Sequence, residues 1–207
     1  MNIKSIEMGG DFMAGPLKIG CVVMAAGNAR RFGSNKLMAA LHGKTLFEHA
    51  LCAVPAEQLD SVVVVTQYPE LIDTVKGYHF SVILNQNPSL GLSHTVALGL
   101  KSLLDCDGVL FQVADQPLLR RESTAALTAL WRKHPNSIAA LSCHEKRGNP
   151  CLFPARFFPE LLSLSGDRGG SAVIANHMDN LILLDVPAEE LLDVDTVQAL
   201  YDIQQHT

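Results

Sequence analysis

Two arginines, two glycines and a lysine lie close together in residues 24–36, directly after the apolar run 19–23. This segment reads MAAGNARRFGSNK and ends at Lys36. Small residues let backbone N–H groups approach phosphate oxygens, and the cations neutralise phosphate charge. The glycine spacing differs from that of the dinucleotide-binding G-x-G-x-x-G motif and of the Walker loop. The segment therefore predicts a polyphosphate-binding loop, and its alternative interpretation is a surface turn with solvated cations.

Three aspartates fall at positions that suit a magnesium ion. Asp115 follows the apolar run 108–114, and Asp193 and Asp195 precede the last predicted helix. Mg²⁺ takes one or two carboxylates together with phosphate oxygens and water. Asp193 and Asp195 are two residues apart in an extended stretch, so their side chains are predicted to point the same way. We predict that Asp115 and one of these two bind Mg²⁺; the alternatives are an Asx-type turn at Asp115 and a helix N-cap at Asp195.

Two further glycine-bearing segments each open a predicted helix. Residues 87–95 follow the third predicted strand, and their amides and hydroxyls could hold a base, a ribose or a phosphate. Residues 166–171 include Arg168 and could bind an anionic acceptor through that side chain and the backbone amides. The alternative for the second segment is a plain turn in which Asp167 caps the helix.

Composition excludes several classes of protein. The formal net charge is −5, and no basic stripe suggests a nucleic-acid partner. With 48% apolar residues, the 207-residue chain can bury a sizeable core. No apolar run approaches the roughly 18 residues that span a membrane, and the start of the chain lacks the apolar region of a secretory signal. We therefore expect a cytoplasmic protein with a loose extension over 1–17 and one domain over 18–207.

Apolar β-rich runs alternate with segments of helical spacing. The predicted strands are 19–24, 61–66, 81–84, 108–114, 137–141 and 181–185. The predicted helices are 45–54, 69–76, 93–104, 121–134, 159–164, 169–178 and 196–204. The alternation predicts an α/β fold with a mostly parallel, Rossmann-like sheet covered on both faces, whose ligands bind at the carboxyl ends of the strands. Residues 139–153 predict an antiparallel excursion that turns around Arg147–Pro150.

These motifs, in this order, resemble those of the MobA-like nucleotidyltransferases, and most closely those of the molybdenum cofactor cytidylyltransferases. The family's L-A-A-G-x-S-x-R-M-G-x-x-K is matched at 24–36, with Ala29 in place of the serine. Its G-D-x-P is matched at 114–117 with Ala114 first, and its N-P…G-M/L-x-x-S at 87–95 with Thr95 last. Its G-x-P-x-x-F, G-D-x-G and D-x-D-T are matched at 148–153, 166–169 and 193–196.

The resemblance implies a three-layer α/β/α sandwich that transfers CMP from CTP to the terminal phosphate of molybdopterin, with Mg²⁺ as cofactor and pyrophosphate as product. The loop's A-A-G start, which includes Ala26, is similar to the cytidylyl rather than the guanylyl branch. The implied catalytic residues are Arg31, Lys36 and Asp115. The implied nucleotide-binding residues are Ala25, Ala26, Gly27, Arg31, Gly33, Lys36, Asn87, Gly91 and Thr95. Asp167, Arg168 and Gly169 would bind the acceptor, and Asp115, Asp193 and Asp195 are the candidate metal ligands.

Two other functions are compatible with the same sequence. The first is nucleotidyl transfer to a sugar phosphate or a polyol phosphate. The second is a non-catalytic protein that delivers the molybdenum cofactor to a hydroxylase such as xanthine dehydrogenase. A cytidylyltransferase for molybdopterin could also have a molybdenum hydroxylase apoenzyme as its protein partner. The sequence leaves open the acceptor, the downstream enzyme and the oligomeric state.

Overall fold

The computed structural model describes residues 15–27, 32 and 35–206. The strands in these residues are β1 (Ile19–Ala25), β2 (Ala40–Leu41), β3 (Lys44–Thr45), β4 (Ser61–Thr66), β5 (Ser81–Leu84), β6 (Gly108–Val113), β7 (Ile138–Cys143), β8 (Lys146–Pro154) and β9 (Leu181–Asp185). The α-helices are α1 (Leu46–Cys52), α2 (Ile72–Gly77), α3 (Leu92–Lys101), α4 (Arg121–Lys133), α5 (Phe158–Leu162), α6 (Gly170–Asn176) and α7 (Val197–His206). The ends of the six predicted strands agree with the observed ends to within one or two residues.

Seven of the strands form one sheet in the order β5-β4-β1-β6-β8-β7-β9. The pairs β1–β4, β4–β5, β1–β6 and β7–β9 are parallel, whereas β8 is antiparallel to both β6 and β7. Among the strands described in this sheet, β8 alone runs against the others. The predicted mostly parallel sheet with an antiparallel excursion is therefore confirmed.

Alternate residues of β1 face two different layers of helices. Ile19, Cys21 and Val23 pack into one apolar cluster with residues of α1, α2 and α4. Val22 packs into a second cluster with residues of α3, α5 and α6. A central parallel strand that is covered on both faces is apolar at nearly every position, which explains the continuous run in the sequence. The predicted three-layer α/β/α sandwich is confirmed.

The hairpin of β7 and β8 turns at a different place from the predicted one. The sequence predicts a turn around Arg147–Pro150, but the turn lies at His144 and Glu145, whose φ angles are 48° and 64°. Two consecutive residues with positive φ match the twist of a two-residue β-hairpin. Neither residue is a glycine, so the sequence carries no clear signal for this turn.

Residues 148–150 instead form a β-bulge inside β8. Ala140 pairs with Cys151 and Ser142 pairs with Arg147, so residues 148–150 oppose residue 141 alone. Proline has no N–H to donate to a strand ladder, and a bulge is one of the few places in a sheet that tolerates it. The Gly-Asn-Pro sequence thus marks an irregular strand and not the turn.

The carboxyl ends of β1, β4 and β6 meet at one edge of the sheet because these neighbouring strands are parallel. No helix within the described residues is long and apolar enough to cross a membrane. Of the predicted extension over 1–17, residues 1–14 lie outside the described residues. The division into this extension and a single domain over 18–207 stays a prediction.

Candidate active site

A cavity of about 470 Å³ lies at the carboxyl ends of β1 and β6. The predicted site residues that line it are Ala25, Ala26, Gly27, Lys36, Gly91, Thr95, Asp115 and Asp167. Asn87 is not among the lining residues, although its neighbours Pro88 and Ser89 are. Arg31 and Gly33 lie outside the described residues. Segments that are far apart in the sequence therefore meet around one space, whose volume suits a small-molecule ligand.

The end of β4 orients the loop that follows β1. Gln67 Nε2 donates to the carbonyl oxygen of Ala26 at 2.9 Å, and Tyr68 Oη donates to that of Gly27 at 2.9 Å. Thr66 Oγ1 donates to the carbonyl oxygen of Ala25 at 3.1 Å. These bonds set the peptide planes of the loop. Sequence reasoning missed Gln67 and Tyr68, because the only signal is two polar residues after a buried strand.

Lys36 joins two of the predicted metal ligands. Its Nζ lies 2.8 Å from Asp115 Oδ2 and 3.1 Å from Asp195 Oδ1. The lysine side chain is 11% exposed. Burial alone would lower the pKa of Lys36, but attraction to Asp115 and hydrogen bonds to Asp115 and Asp195 outweigh it and raise the pKa. The ammonium group therefore stays protonated at the edge of the cavity.

Asp193 contacts a different partner from Asp195; that the two side chains point the same way stays a prediction. Gln116 Nε2 donates to Asp193 Oδ1 at 2.9 Å. Burial, followed by repulsion from Asp115, raises the pKa of Asp193. The backbone N–H of Val194 donates to the carbonyl oxygen of Asp115 at 2.8 Å and ties the two segments together.

The helix cap predicted at Asp195 lies one residue further along the chain. Thr196 Oγ1 accepts a hydrogen bond at 3.1 Å from the backbone N–H of Ala199, in the first turn of α7. A side-chain oxygen that satisfies the N–H three residues on is the usual N-cap arrangement. Asp195 is therefore not required as the cap and contacts Lys36.

The carboxylates of this site fit a magnesium ion. Asp115 and Asp195 each contact the Lys36 ammonium group, so carboxylate oxygens from two distant segments converge on one positive charge. Oxygen donors of this kind are those that Mg²⁺ prefers, and phosphate oxygens and water complete its coordination. No group of three or more His, Cys, Asp or Glu side chains in the described part of the chain is arranged to hold a metal. A two-carboxylate site that is completed by substrate is consistent with that finding.

The loops that contain Gly91 and Gly166 pack directly on each other. Gly91 has a φ of 87°, and a Cβ built there would lie 2.4 Å from the carbonyl carbon of Gly166. The backbone N–H of Ser93 donates to the carbonyl oxygen of Gly166 at 3.0 Å. Thr95 Oγ1 accepts a hydrogen bond from Asn85 Nδ2 at 3.2 Å. The hydrogen bond from Ser93 thereby holds the first turn of α3 against the loop that contains Gly166.

A second, smaller cavity of about 80 Å³ adjoins the first. Both cavities are lined by Met24, Leu92 and Val113, so they share a wall. The residues predicted to bind the acceptor are divided: Asp167 lines the larger cavity, Gly169 lines the smaller one, and Arg168 is exposed and lines neither. Helix α6 begins at Gly170 without a side-chain cap, so the predicted cap at Asp167 is wrong.

The polar residues of the smaller cavity were not predicted as site residues. They are Arg147, Asn149, Cys151 and Ser171. The first three lie in β8, on or beside the β-bulge at 148–150. The G-x-P-x-x-F match at 148–153 is the signal that could have found Asn149 and Cys151.

Two known proteins are similar to this chain in sequence. Purine catabolism protein PucB of Bacillus subtilis (strain 168) is 31% identical over 204 residues, which cover 92% of this chain and 97% of that protein. The 2-C-methyl-D-erythritol 4-phosphate cytidylyltransferase of Dehalococcoides mccartyi (strain CBDB1) is 33% identical over 112 residues, 51% of this chain and 49% of that protein.

Solved structures share the fold. The crystal structure of Rv0371c from Mycobacterium tuberculosis H37Rv superimposes with a TM-score of 0.76 at 20% identity, over 91% of this chain and 98% of that one. The same mycobacterial protein has been solved in complex with manganese, and that structure covers 92% of this chain and all (100%) of its own with a TM-score of 0.69 at 20% identity.

The sequence profile of the MobA-like NTP transferase domain matches residues 21–181, which is most of the chain and includes the described residues that line both cavities; Asp193 and Asp195 lie beyond it and are not among those lining residues. The chain belongs to the family of MobA-like NTP transferase domains.

Proposed function

We propose that this chain transfers CMP from CTP to the terminal phosphate of molybdopterin and releases pyrophosphate. The observation that carries the proposal is the Lys36 ammonium group between Asp115 and Asp195, beside the small-residue loop of Ala25, Ala26 and Gly27. A triphosphate that binds with Mg²⁺ needs carboxylates for the metal and amides and cations for its phosphates. The larger cavity brings these groups together.

The acceptor and the base are supported by the relatives. PucB is named for purine catabolism. Xanthine dehydrogenase, the hydroxylase considered from the sequence, is named for a purine. The cytidylyltransferase from Dehalococcoides uses a cytidine nucleotide, in agreement with the A-A-G start of the loop at Ala26. A molybdenum hydroxylase apoenzyme is accordingly the protein partner that we propose.

The reaction needs no protein nucleophile. An oxygen of the acceptor phosphate attacks the α-phosphorus of CTP, the bond from that phosphorus to the α–β bridging oxygen breaks, and pyrophosphate leaves with the electron pair. A phosphate monoester has its second pKa near about 6 and is already anionic at neutral pH, so no general base has to remove a proton. The product contains a new phosphorus–oxygen–phosphorus linkage.

Side chains that line the larger cavity, together with the acidic segment that contacts Lys36, supply charge and position. Asp115 and Asp195 would hold Mg²⁺, with Asp193 as the alternative second ligand. When bound, the ion neutralises charge on the reacting phosphates. The Lys36 ammonium group would provide positive charge for the leaving pyrophosphate. Arg31 and Gly33 complete the proposed phosphate loop on the evidence of the sequence motif alone.

The test is an assay of pyrophosphate release with CTP, GTP and ATP against a panel of phosphorylated acceptors. We expect release with CTP and molybdopterin, and much slower release with GTP or ATP. The same rates with all three nucleotides would contradict the cytidine assignment. No release with any pair, from a folded protein supplied with Mg²⁺, would contradict nucleotidyl transfer and leave the delivery function, which a pull-down with a hydroxylase apoenzyme then tests.

A polyol phosphate is the second candidate acceptor, because the Dehalococcoides relative that matches half of the chain acts on 2-C-methyl-D-erythritol 4-phosphate. Release with this acceptor and not with molybdopterin would favour that function.

We further propose a cytoplasmic location, since all five cysteines are free thiols and reduced thiols are typical of that compartment.

A further inference from the structure

The smaller cavity has the dimensions of a subsite for one small group. Its volume of about 80 Å³ exceeds the roughly 10–15 Å³ that one water molecule needs, so a small group can enter it. It shares a wall of Met24, Leu92 and Val113 with the larger cavity. A group bound in it would therefore lie next to a nucleotide in the larger one.

Arg147 supplies the positive charge of this cavity. Its side chain is partly buried, and none of the ion pairs among the described residues includes it. Its Nη1 atom lies 4.0 Å from the Sγ atom of Cys151. A partly buried guanidinium group without a carboxylate partner loses solvation that an anion would restore, and its planar fork matches the oxygens of a phosphate.

Arg147 lies directly before the β-bulge. Arg147 and Asn149 are separated by one residue and both line the cavity, and residues 148–150 are the bulged segment. A bulge bends its strand and re-aims the side chains on it. Gly148 packs on Leu191, where a Cβ would lie 2.9 Å from Leu191 Cδ1. The backbone between the two polar side chains is thus fixed by packing.

The lining contains no group that could act as a general base. Among the described residues that line the smaller cavity, none is an aspartate, a glutamate or a histidine. Burial raises the pKa of the Cys151 thiol to about 11, so this thiol stays neutral. An alcohol acceptor needs a base to take its proton, whereas a phosphate monoester is already anionic. The chemistry of the lining favours a phosphate nucleophile.

We propose that Arg147, together with Asn149, binds the terminal phosphate of a phosphomonoester acceptor in the smaller cavity. This inference rests on the proposed nucleotidyl transfer, and it assigns the acceptor to the β-bulge and not to Arg168. The acceptor phosphate then lies beside the nucleotide cavity, with its charge balanced by the guanidinium group. Arg147 acts as a binding and positioning residue for the nucleophile.

The experiment compares Arg147→Gln and Arg147→Lys with a matched control, Lys146→Gln. Lys146 is exposed on the same strand and its loss removes the same charge. Steady-state kinetics with CTP and molybdopterin give the two KM values, calorimetry gives the Kd of CTP with Mg²⁺, and calorimetry with phenyl phosphate probes the subsite without turnover. We expect Arg147→Gln to raise the acceptor KM by about tenfold or more and to abolish phenyl phosphate binding, with the Kd of CTP changed by less than about twofold.

The two variants of Arg147 and the control separate the possible outcomes. Arg147→Lys should recover part of the acceptor affinity, because the charge remains but the fork is lost. An unchanged acceptor KM in folded Arg147→Gln, or a loss of CTP affinity in its place, would overturn the proposal. If the unmodified protein releases no pyrophosphate, the proposed function fails, but phenyl phosphate binding that Arg147→Gln loses and Lys146→Gln keeps would still support the subsite.

Discussion

The two adjoining cavities handle charge in opposite ways. The larger one combines a lysine with carboxylates, and Lys36 contacts Asp115 and Asp195 at 2.8 and 3.1 Å. Among the described residues that line the smaller one, Arg147 is the charged side chain and no acid accompanies it. Acids are useful where a metal ion must be held against phosphates, and they repel the ligand where an anion must bind without metal. The difference supports our proposals that one cavity binds a metal–nucleotide complex and the other an acceptor anion.

Removal of the charges of the larger cavity should have the largest effect. We expect Asp115→Ala and Lys36→Ala each to lower the rate of pyrophosphate release by about a hundredfold or more, the usual cost of losing one preorganised charged group. The assay uses CTP and the acceptor at saturation, and thermal unfolding shows whether each variant is folded. Lys146→Gln serves as the charge-matched control. Near-normal rates in both variants would remove the basis for the site.

A comparison of Asp195→Asn with Asp193→Asn decides which residue is the second metal ligand. Asp195 and Asp115 both contact the Lys36 ammonium group, whereas Asp193 accepts a hydrogen bond from Gln116. We therefore expect Asp195→Asn to raise the Mg²⁺ concentration needed for half-maximal activity on the order of tenfold. Asp193→Asn should have the smaller effect. A metal titration of pyrophosphate release measures both, and the reverse order would assign the ligand to Asp193.

Substitution of Gly91 tests the packing that shapes the wall of the larger cavity. A residue with a Cβ is strained at a φ of 87°, and the Cβ would lie 2.4 Å from the backbone of Gly166. We expect Gly91→Ala to lower the free energy of unfolding by about 1–3 kcal/mol and to raise the KM for CTP several-fold. Urea unfolding gives the first value. Gly77→Ala is the control, since a Cβ there meets nothing within 4 Å, and equal effects of both substitutions would contradict the prediction.

The smallest effect concerns an acid in the helices behind the smaller cavity. Glu160 accepts from Asn176 Nδ2 at 3.0 Å and contacts His177 Nε2 at 2.6 Å. The hydrogen bond from Asn176, followed by that to His177, lowers the pKa of Glu160. The folded state therefore favours the ionised carboxylate, and this stabilisation is present above the ordinary glutamate pKa of about 4.3 and is lost as pH falls through the lowered value.

We accordingly expect Glu160→Gln to lower the midpoint of thermal unfolding slightly at neutral pH, with a difference that disappears in acid. Thermal unfolding followed between neutral pH and the acid range checks this, and the exposed Glu122→Gln is the control. The rate of pyrophosphate release should not change. A loss of rate would show that acids near the smaller cavity matter to its chemistry, which would weaken the contrast between the two cavities.

Much of the fold was predictable because its signals are local. Buried parallel strands are continuous apolar runs, as at 61–66, and the sequence places their ends to within two residues. The hairpin turn at His144 and Glu145 was not predictable, since these residues adopt positive φ without being glycines. The long-range pairing of β8 with β6 and β7 places Pro150 in a bulge, and no local pattern reports that pairing.

The sequence by itself determined the chemistry that is present: the small-residue loop before Lys36, the aspartates at 115, 193 and 195, and the order of the family's motifs. Residue types and short spacings are sufficient for such inferences. Only the tertiary structure decided that the Lys36 ammonium group contacts Asp195 together with Asp115, while Asp193 contacts Gln116. It also decided that Arg147 lines a second cavity. These arrangements depend on contacts between residues up to 159 positions apart, and such contacts exist only once the sheet and its helices have packed.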